Sequence, residues 1–250
     1  MKTKRNNKQS WRGRLEAVGL GLFIMTAVIN LGAGQPAAAP SMNWTEIEIH
    51  ESERPPVRAW AAICFDAIRQ VIVLHGGRYN HPNGYQESLS DTWEFDGLSW
   101  EQASTDGPTR TGARMAFDEN RCVCVLYSGY EIRNGDWRAY SDTWEWDGAE
   151  WIQAGNVSSE PGHTHGMAYD PLRQKVVRHG GGTPSDPTLY SKTYEWDGVD
   201  WTEISAAGPP GYAGLFFEPA RQKLMTYTAV FTPDSGYHGQ LWELDGNHWI

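Results

Sequence analysis

One phrase recurs four times along this 250-residue chain. Residues 90–100 read SDTWEFDGLSW, 141–151 SDTWEWDGAEW, 191–201 SKTYEWDGVDW and 239–249 GQLWELDGNHW. The closing tryptophans Trp100, Trp151, Trp201 and Trp249 lie 51, 50 and 48 residues apart. A second marker keeps step upstream, an aromatic, an acid, two free positions and an arginine. It occurs at Phe65-Asp66…Arg69, Phe117-Asp118…Arg121, Tyr169-Asp170…Arg173 and Phe217-Glu218…Arg221. Two columns sharing one period define a tandem repeat, which limits the fold to architectures that stack one supersecondary unit on the next.

Each unit resolves into four short strands. Strand a is AWAAICF in the first unit and HTHGMAY in the third; an Asp-x-x-Arg turn leads to b, QVIVLHGG or QKVVRHGGG. The β-branched runs ending in glycine fit a strand that opens into a loop. Strand c is DTWEF, and the Asp-Gly that follows is a strong hairpin signal leading to d, which starts at the tryptophan. Four antiparallel strands per unit at this period predict an all-β fold of propeller blades.

With the Gly76-Gly77 and Gly180-Gly181 pairs after an apolar strand, the aromatic c strand and the tryptophan opening d, the chain resembles the kelch repeat family. DTWEWDG is similar to kelch-type repeats of secreted bacterial proteins with the galactose oxidase central-domain architecture. The resemblance covers residues 43–250 and implies a kelch-type β-propeller of about four four-stranded blades, at approximately 57–105, 108–155, 160–205 and 209–250. Ser128-Gly129 and Thr228-Ala229 depart from the Gly-Gly pattern. Residues 44–47, WTEI, match 201–204 of strand d, so 43–50 reads as a d-type strand ahead of the first complete blade. Rings in this family usually have more blades. An incomplete arc of a larger ring is therefore expected, either as a fragment without independent activity or as a unit that self-associates through its open blade ends.

Residues 1–40 read differently. Six basic residues precede the apolar run 17–29, and the small-residue stretch GAGQPAAAPS follows, the layout of a secretory signal peptide. The run is short for a bilayer span, so the membrane enters only through an uncleaved leader, and the expected location is secreted or periplasmic. Residues 41–250 hold 15 basic and 30 acidic side chains, a net charge of −15 that argues against nucleic acid as a partner. Cys64, Cys122 and Cys124 are too few for a disulfide framework. Cys122 and Cys124 read as same-face residues of strand b, serving as buried apolar filler.

Strand alternation puts the a–b and c–d turns at one end of each unit and the b–c and d–a connections at the other. At the first end, Arg69 is expected beside Glu94 and Asp96, and the later arginines beside their own acids. Acids already facing an arginine make a poor Ca²⁺ cage. The other end carries long, dissimilar, aromatic loops, where recognition usually sits. Its candidate ligand-binding residues are Tyr79, His81, Tyr85, Trp137, Arg138, Tyr140, Tyr190, Tyr237 and His238, with Arg58, Trp60, Arg110, His163, His165 and Tyr212 from the d–a connections. His163, His165 and His179 form the one constellation suited to Cu or Zn, although His179 also falls in a repeat column with His75, Tyr127 and Tyr227.

The galactose oxidase resemblance does not extend to a copper-radical site, because no cysteine lies in a mouth loop. No nucleophile–base pattern appears, and no catalytic residue, metal or cofactor is assigned. The expected function is a non-catalytic module that binds a protein or glycan ligand through the b–c/d–a face. A carbohydrate-active oxidase, epimerase or lyase is the alternative.

Overall fold

The indole nitrogens of the repeated phrase explain how its copies are held together. The computed structural model describes residues 54–155, 165–181, 191–205, 207–209, 214–232, 234 and 236–250. The leader, residues 43–50, His163, Tyr190 and Tyr212 lie outside the described residues. No α-helix occurs among those described. They form four four-stranded antiparallel sheets and two small hairpins.

The first sheet comprises β1 (Ala62–Asp66), β2 (Val71–His75), β5 (Thr92–Phe95) and β6 (Trp100–Ser104), paired in that order. Between β2 and β5, β3 (Arg78–Asn80) pairs with β4 (Gln86–Ser88). The second sheet has β7 (Arg114–Asp118), β8 (Val123–Tyr127), β11 (Thr143–Trp146) and β12 (Trp151–Ala154), with the hairpin β9 (Tyr130–Arg133) and β10 (Asp136–Ala139) between β8 and β11. The third has β13 (Gly166–Asp170), β14 (Lys175–His179), β15 (Thr193–Trp196) and β16 (Trp201–Ser205). The fourth has β17 (Leu215–Glu218), β18 (Lys223–Thr232), β19 (Gly236–Asp245) and β20 (His248–Trp249). Here the b–c connection is a continuation of both strands, paired from Met225↔Glu243 to Thr232↔Gly236.

Successive sheets pack through three apolar layers. Ala62, Cys64 and Val73 of the first meet Met115, Phe117, Cys124 and Trp146 of the second. Ala116 and Val125 of the second meet Val176 and Trp196 of the third. Val177 and Ala168 of the third meet Leu215, Leu224, Leu244 and Trp249 of the fourth. Alternation along each strand thus supplies both faces of each middle sheet, since successive side chains point to opposite sides.

Polar stitches cross the same layers. Trp151 Nε1 donates to Thr92 Oγ1, Trp201 Nε1 to Thr143 Oγ1 and Trp249 Nε1 to Thr193 Oγ1, each at 2.8 Å. Trp146 Nε1 donates to Glu94 Oε1 at 2.9 Å and Trp196 Nε1 to Glu145 Oε1 at 2.8 Å. Each donor belongs to the sheet after its acceptor. Arg69 also lies against the Asp-Gly turn of the next sheet, where a Cβ on Gly148 would sit 2.9 Å from its guanidinium carbon. Gly148 has φ +101, a region a side chain rarely adopts, so glycine meets both a conformational and a packing demand there.

The arginine column is placed as expected for one acid and not for the other. Arg69 binds both Glu94 oxygens at 2.7 and 2.8 Å and Asp66 at 2.7 Å. Arg121 meets Glu145 at 2.5 Å, Arg173 meets Glu195 at 3.4 Å and Arg221 meets Glu243 at 3.2 Å. Asp96, Asp147 and Asp197 instead accept backbone N–H groups of their own turns, for example Leu98 and Ser99 at 2.8 Å each. Those bonds favour the carboxylate and hold all three below the usual Asp range. A hairpin turn needs its amides satisfied locally, and the first residue of the Asp-Gly pair is nearest to them.

The cysteine reading is corrected on one point. Cys122 is exposed and lies in the turn before β8, with φ 57, whereas Cys124 is buried within the strand. The strand begins one residue later than the apolar pattern suggested, so the two thiols do not share its buried face.

Thr92 holds both an indole and an imidazole, so Thr92→Val is expected to lower stability by about 2–3 kcal/mol by orphaning two polar groups. Thr92→Ser, which keeps the hydroxyl, is expected to cost less than about 1 kcal/mol. Urea denaturation of the two variants measures the difference.

Candidate functional site

The b–c and d–a connections converge at the sheet ends remote from the Asp-Gly turns. Ala59 bridges Arg78 and Thr111 bridges Tyr130, so each d–a segment adds to the b–c hairpin of its own unit. Neighbouring units are also joined: Gly77 N donates to Arg110 O at 2.8 Å, Ile132 N to Ser88 Oγ at 2.8 Å and Asn134 N to Tyr85 OH at 3.3 Å. Ser88 Oγ and Thr111 Oγ1 lie 2.7 Å apart in the same seam. Loops with dissimilar sequences therefore form one continuous surface over the first two sheets.

Aromatic groups cluster on that surface. Trp137 is 60% exposed and stacks on Tyr130, with ring centroids 4.8 Å apart and planes 20° from parallel. Arg138, also exposed, lies 5.0 Å from the Tyr140 ring centroid. Tyr140 donates its hydroxyl proton to Glu131 at 2.7 Å. Burial and then that neighbouring carboxylate push the phenol above its ordinary range. A second group joins Tyr79, His81 and Tyr85, with successive centroid distances of 4.6 and 5.2 Å. Trp60 is exposed at φ 61, while His238 is exposed on β19 in the fourth sheet. Tyr237 lies on the same strand.

Arg58 and Arg110 occupy a different environment. Arg58 forms a two-pronged pair with Asp91 at 2.6 and 2.8 Å, and Arg110 meets Asp142 at 2.5 Å. Trp93 and Trp144 donate to the same two carboxylates at 2.7 and 2.8 Å. Burial would raise the Asp91 carboxyl, but the bonds from Arg58 and Trp93 outweigh it and hold the group low. Arg110 is buried and spreads its guanidinium 3.6 Å beneath the Tyr140 ring centroid. Its charge reaches the surface by supporting an aromatic ring from below.

The histidines divide according to their partners. His75 Nδ1 lies 2.9 Å from Thr92 Oγ1 and its Nε2 lies 2.8 Å from Pro108 O. His179 repeats this with Thr193 at 2.9 Å and Pro209 O at 3.0 Å. A carbonyl can only accept, so Nε2 carries the proton and the threonine donates to Nδ1 while accepting from the next sheet's indole. Both nitrogens of His179 are thus engaged in the scaffold, leaving no lone pair for a metal. His165 is buried and meets Tyr127 edge to face at 5.4 Å. Among the described residues, no three His, Cys, Asp or Glu side chains come together as metal ligands.

The leading ends of β1, β7, β13 and β17 line a common cavity of about 260 Å³, with Ala62, Met115, His165, Met167 and Leu215 on its walls. Two features escaped the sequence reading. Arg178 is buried between Tyr127 and Tyr194, 4.5 and 3.9 Å from their ring centroids. Asp91 and Asp142, which hold Arg58 and Arg110, carried a usable signal: both pairs keep the repeat period.

Burial lowers the pKa of His75 and of His179 to about 4, well below the ordinary value near 6.5. Between these limits the unfolded chain binds the extra protons, so stability is full above about pH 6.5 and falls as pH drops toward 4. The expected slope is up to about 1.4 kcal/mol per pH unit for each histidine. Replacing both with Gln is expected to flatten it, as read from denaturation midpoints across that range.

A scan against protein-family models found no match to this chain, and a search of curated proteins found none either.

Proposed function

We propose that the four sheets are blades of a kelch-type β-propeller, and that the protein is a secreted or periplasmic, non-catalytic module binding a protein or glycan through its b–c/d–a face. Three features support the blade reading: the recurring a-b-c-d strand order, the packing of each sheet on the next, and the cavity shared by the four a strands. The apolar side chains on the outer faces of the first and fourth sheets, Ile63 and Phe65, and Phe216, Tyr227 and Leu241, are where an open arc would meet another copy.

The observation that carries the binding reading is Trp137. A large indole left 60% exposed while stacked flat on Tyr130 is a preorganised platform. The stacking holds the ring in place against Tyr130, which limits the ordering cost of binding. Arg138 and Glu131 lie on the same hairpin and supply charged groups beside the ring. Aromatic faces with adjacent hydrogen-bonding groups suit sugar rings and peptide side chains. Glu94, Glu145, Glu195 and Glu243, in contrast, are engaged by arginines, and Asp96, Asp147 and Asp197 by turn amides.

The test is a screen of immobilised oligosaccharides and peptides, followed by titration of any binder. Trp137→Ala is expected to weaken binding by roughly 10-fold or more, the scale of an interface hot spot. Trp137→Ala combined with Tyr140→Ala and Tyr85→Ala is expected to abolish it. Undiminished binding by the folded triple variant would remove this face from the assignment.

A further inference from the structure

Cys64 and Cys124 belong to different sheets and lie 60 residues apart in sequence, yet their sulfurs are 3.2 Å apart. Cys64 is central in β1 and Cys124 is on β8, within the first of the three inter-sheet layers. The repeat shows what usually occupies these two positions. Cys64 pairs across its sheet with Val73 as Ala116 does with Val125 and Ala168 with Val177. Cys124 pairs with Phe117 as Val176 does with Tyr169 and Leu224 with Phe217. The second layer therefore places Ala116 and Val176 at these positions, and the third places Ala168 and Leu224. Only in the first layer are both members cysteine, and there the side chains meet.

We propose that Cys64 and Cys124 form a disulfide that staples the first sheet to the second when the chain folds in the presence of a small-molecule or protein disulfide. Closing the bond moves the sulfurs together by about 1 Å, since an S–S bond is close to 2 Å long. The partners already face one another from packed strands. In the exchange, the Cys64 thiolate attacks one sulfur of the oxidant disulfide and expels one thiolate. Cys124 then attacks the Cys64 sulfur of the mixed disulfide and expels the second. The two protein thiols lose two protons and two electrons, and the oxidant is reduced to two thiols. Cys64 is less enclosed than Cys124, so it is the partner that meets the oxidant first. Burial and the neighbouring Cys124 raise the Cys64 thiol well above its ordinary range, so little thiolate forms once the sheets have packed and the exchange takes place while the chain is folding. Cys122 is exposed in the preceding turn, with its sulfur 3.7 Å from Glu119 O, and remains a free thiol.

The experiment refolds the reduced full chain in a glutathione redox buffer, then blocks remaining thiols with an alkylating agent in denaturant. Intact mass and non-reducing peptide mapping give the readout. The expected product is lighter than the reduced chain by two hydrogens, takes up one alkyl group, at Cys122, and contains a peptide joining residues 64 and 124. The double variant Cys64→Ala, Cys124→Val recreates the Ala116–Val176 pair and is expected to fold with Cys122 still alkylated and no linked peptide. Three alkylated cysteines in the refolded wild-type chain would overturn the proposal, as would a linkage that includes Cys122. This outcome is independent of ligand binding at the loop face.

Discussion

The bonds from Trp151, Trp201 and Trp249 to the threonine of the preceding sheet are the interaction on which the stacking depends. A hydroxyl can donate one proton and accept another, so Thr92 and Thr193 each join an indole of the next sheet to a histidine of their own. The histidine passes the chain on to a proline carbonyl in the d–a connection. One hydroxyl therefore ties together strands b, c and d and the following segment. Burying these polar groups costs little only because each has its partner. The apolar layers supply the driving force for stacking, and the polar stitches set the register at which one sheet meets the next.

The glutamates and arginines do comparable work at the opposite end. Glu94 accepts from Arg69 in its own sheet and from Trp146 in the next, and Glu145 does the same with Arg121 and Trp196. With these glutamates held by arginines and Asp96, Asp147 and Asp197 by their turn amides, the turn end has little chemistry to spare for a ligand. The loop end differs because its segments are free of the repeat. There the scaffold contributes fixed points, Arg58–Asp91 and Arg110–Asp142, and the hairpins between them present Trp137, Arg138 and Tyr140. Fold does not dictate function, so the binding reading rests on those side chains alone.

Much of the strand order was legible in the sequence because β-hairpins are local. Asp-Gly and Asp-x-x-Arg each mark a turn through groups only a few residues apart, and Arg69 beside Glu94 follows from antiparallel pairing. Asp96 was misplaced because two acids two residues apart look alike on paper. The turn amides decide between them, and those are visible only in three dimensions. The strand start at Val123 was one residue off for a related reason, since Cys122 completes a left-handed turn rather than the strand. His179 could be read either as a ligand or as a repeat position, and its two bonds decide for the latter.

By itself the sequence determined the period, the strands within it, the hairpin turns and the arginine–glutamate column, because these depend on residues close in the chain or on alternation along a strand. Only the tertiary structure decided which sheet receives each indole, that Arg58 and Arg110 are enclosed in ion pairs, and that Trp137 lies flat on Tyr130. It alone brought Cys64 to Cys124. These depend on how one sheet packs against the next, where side chains some 50 or 60 residues apart meet at distances that no local pattern encodes.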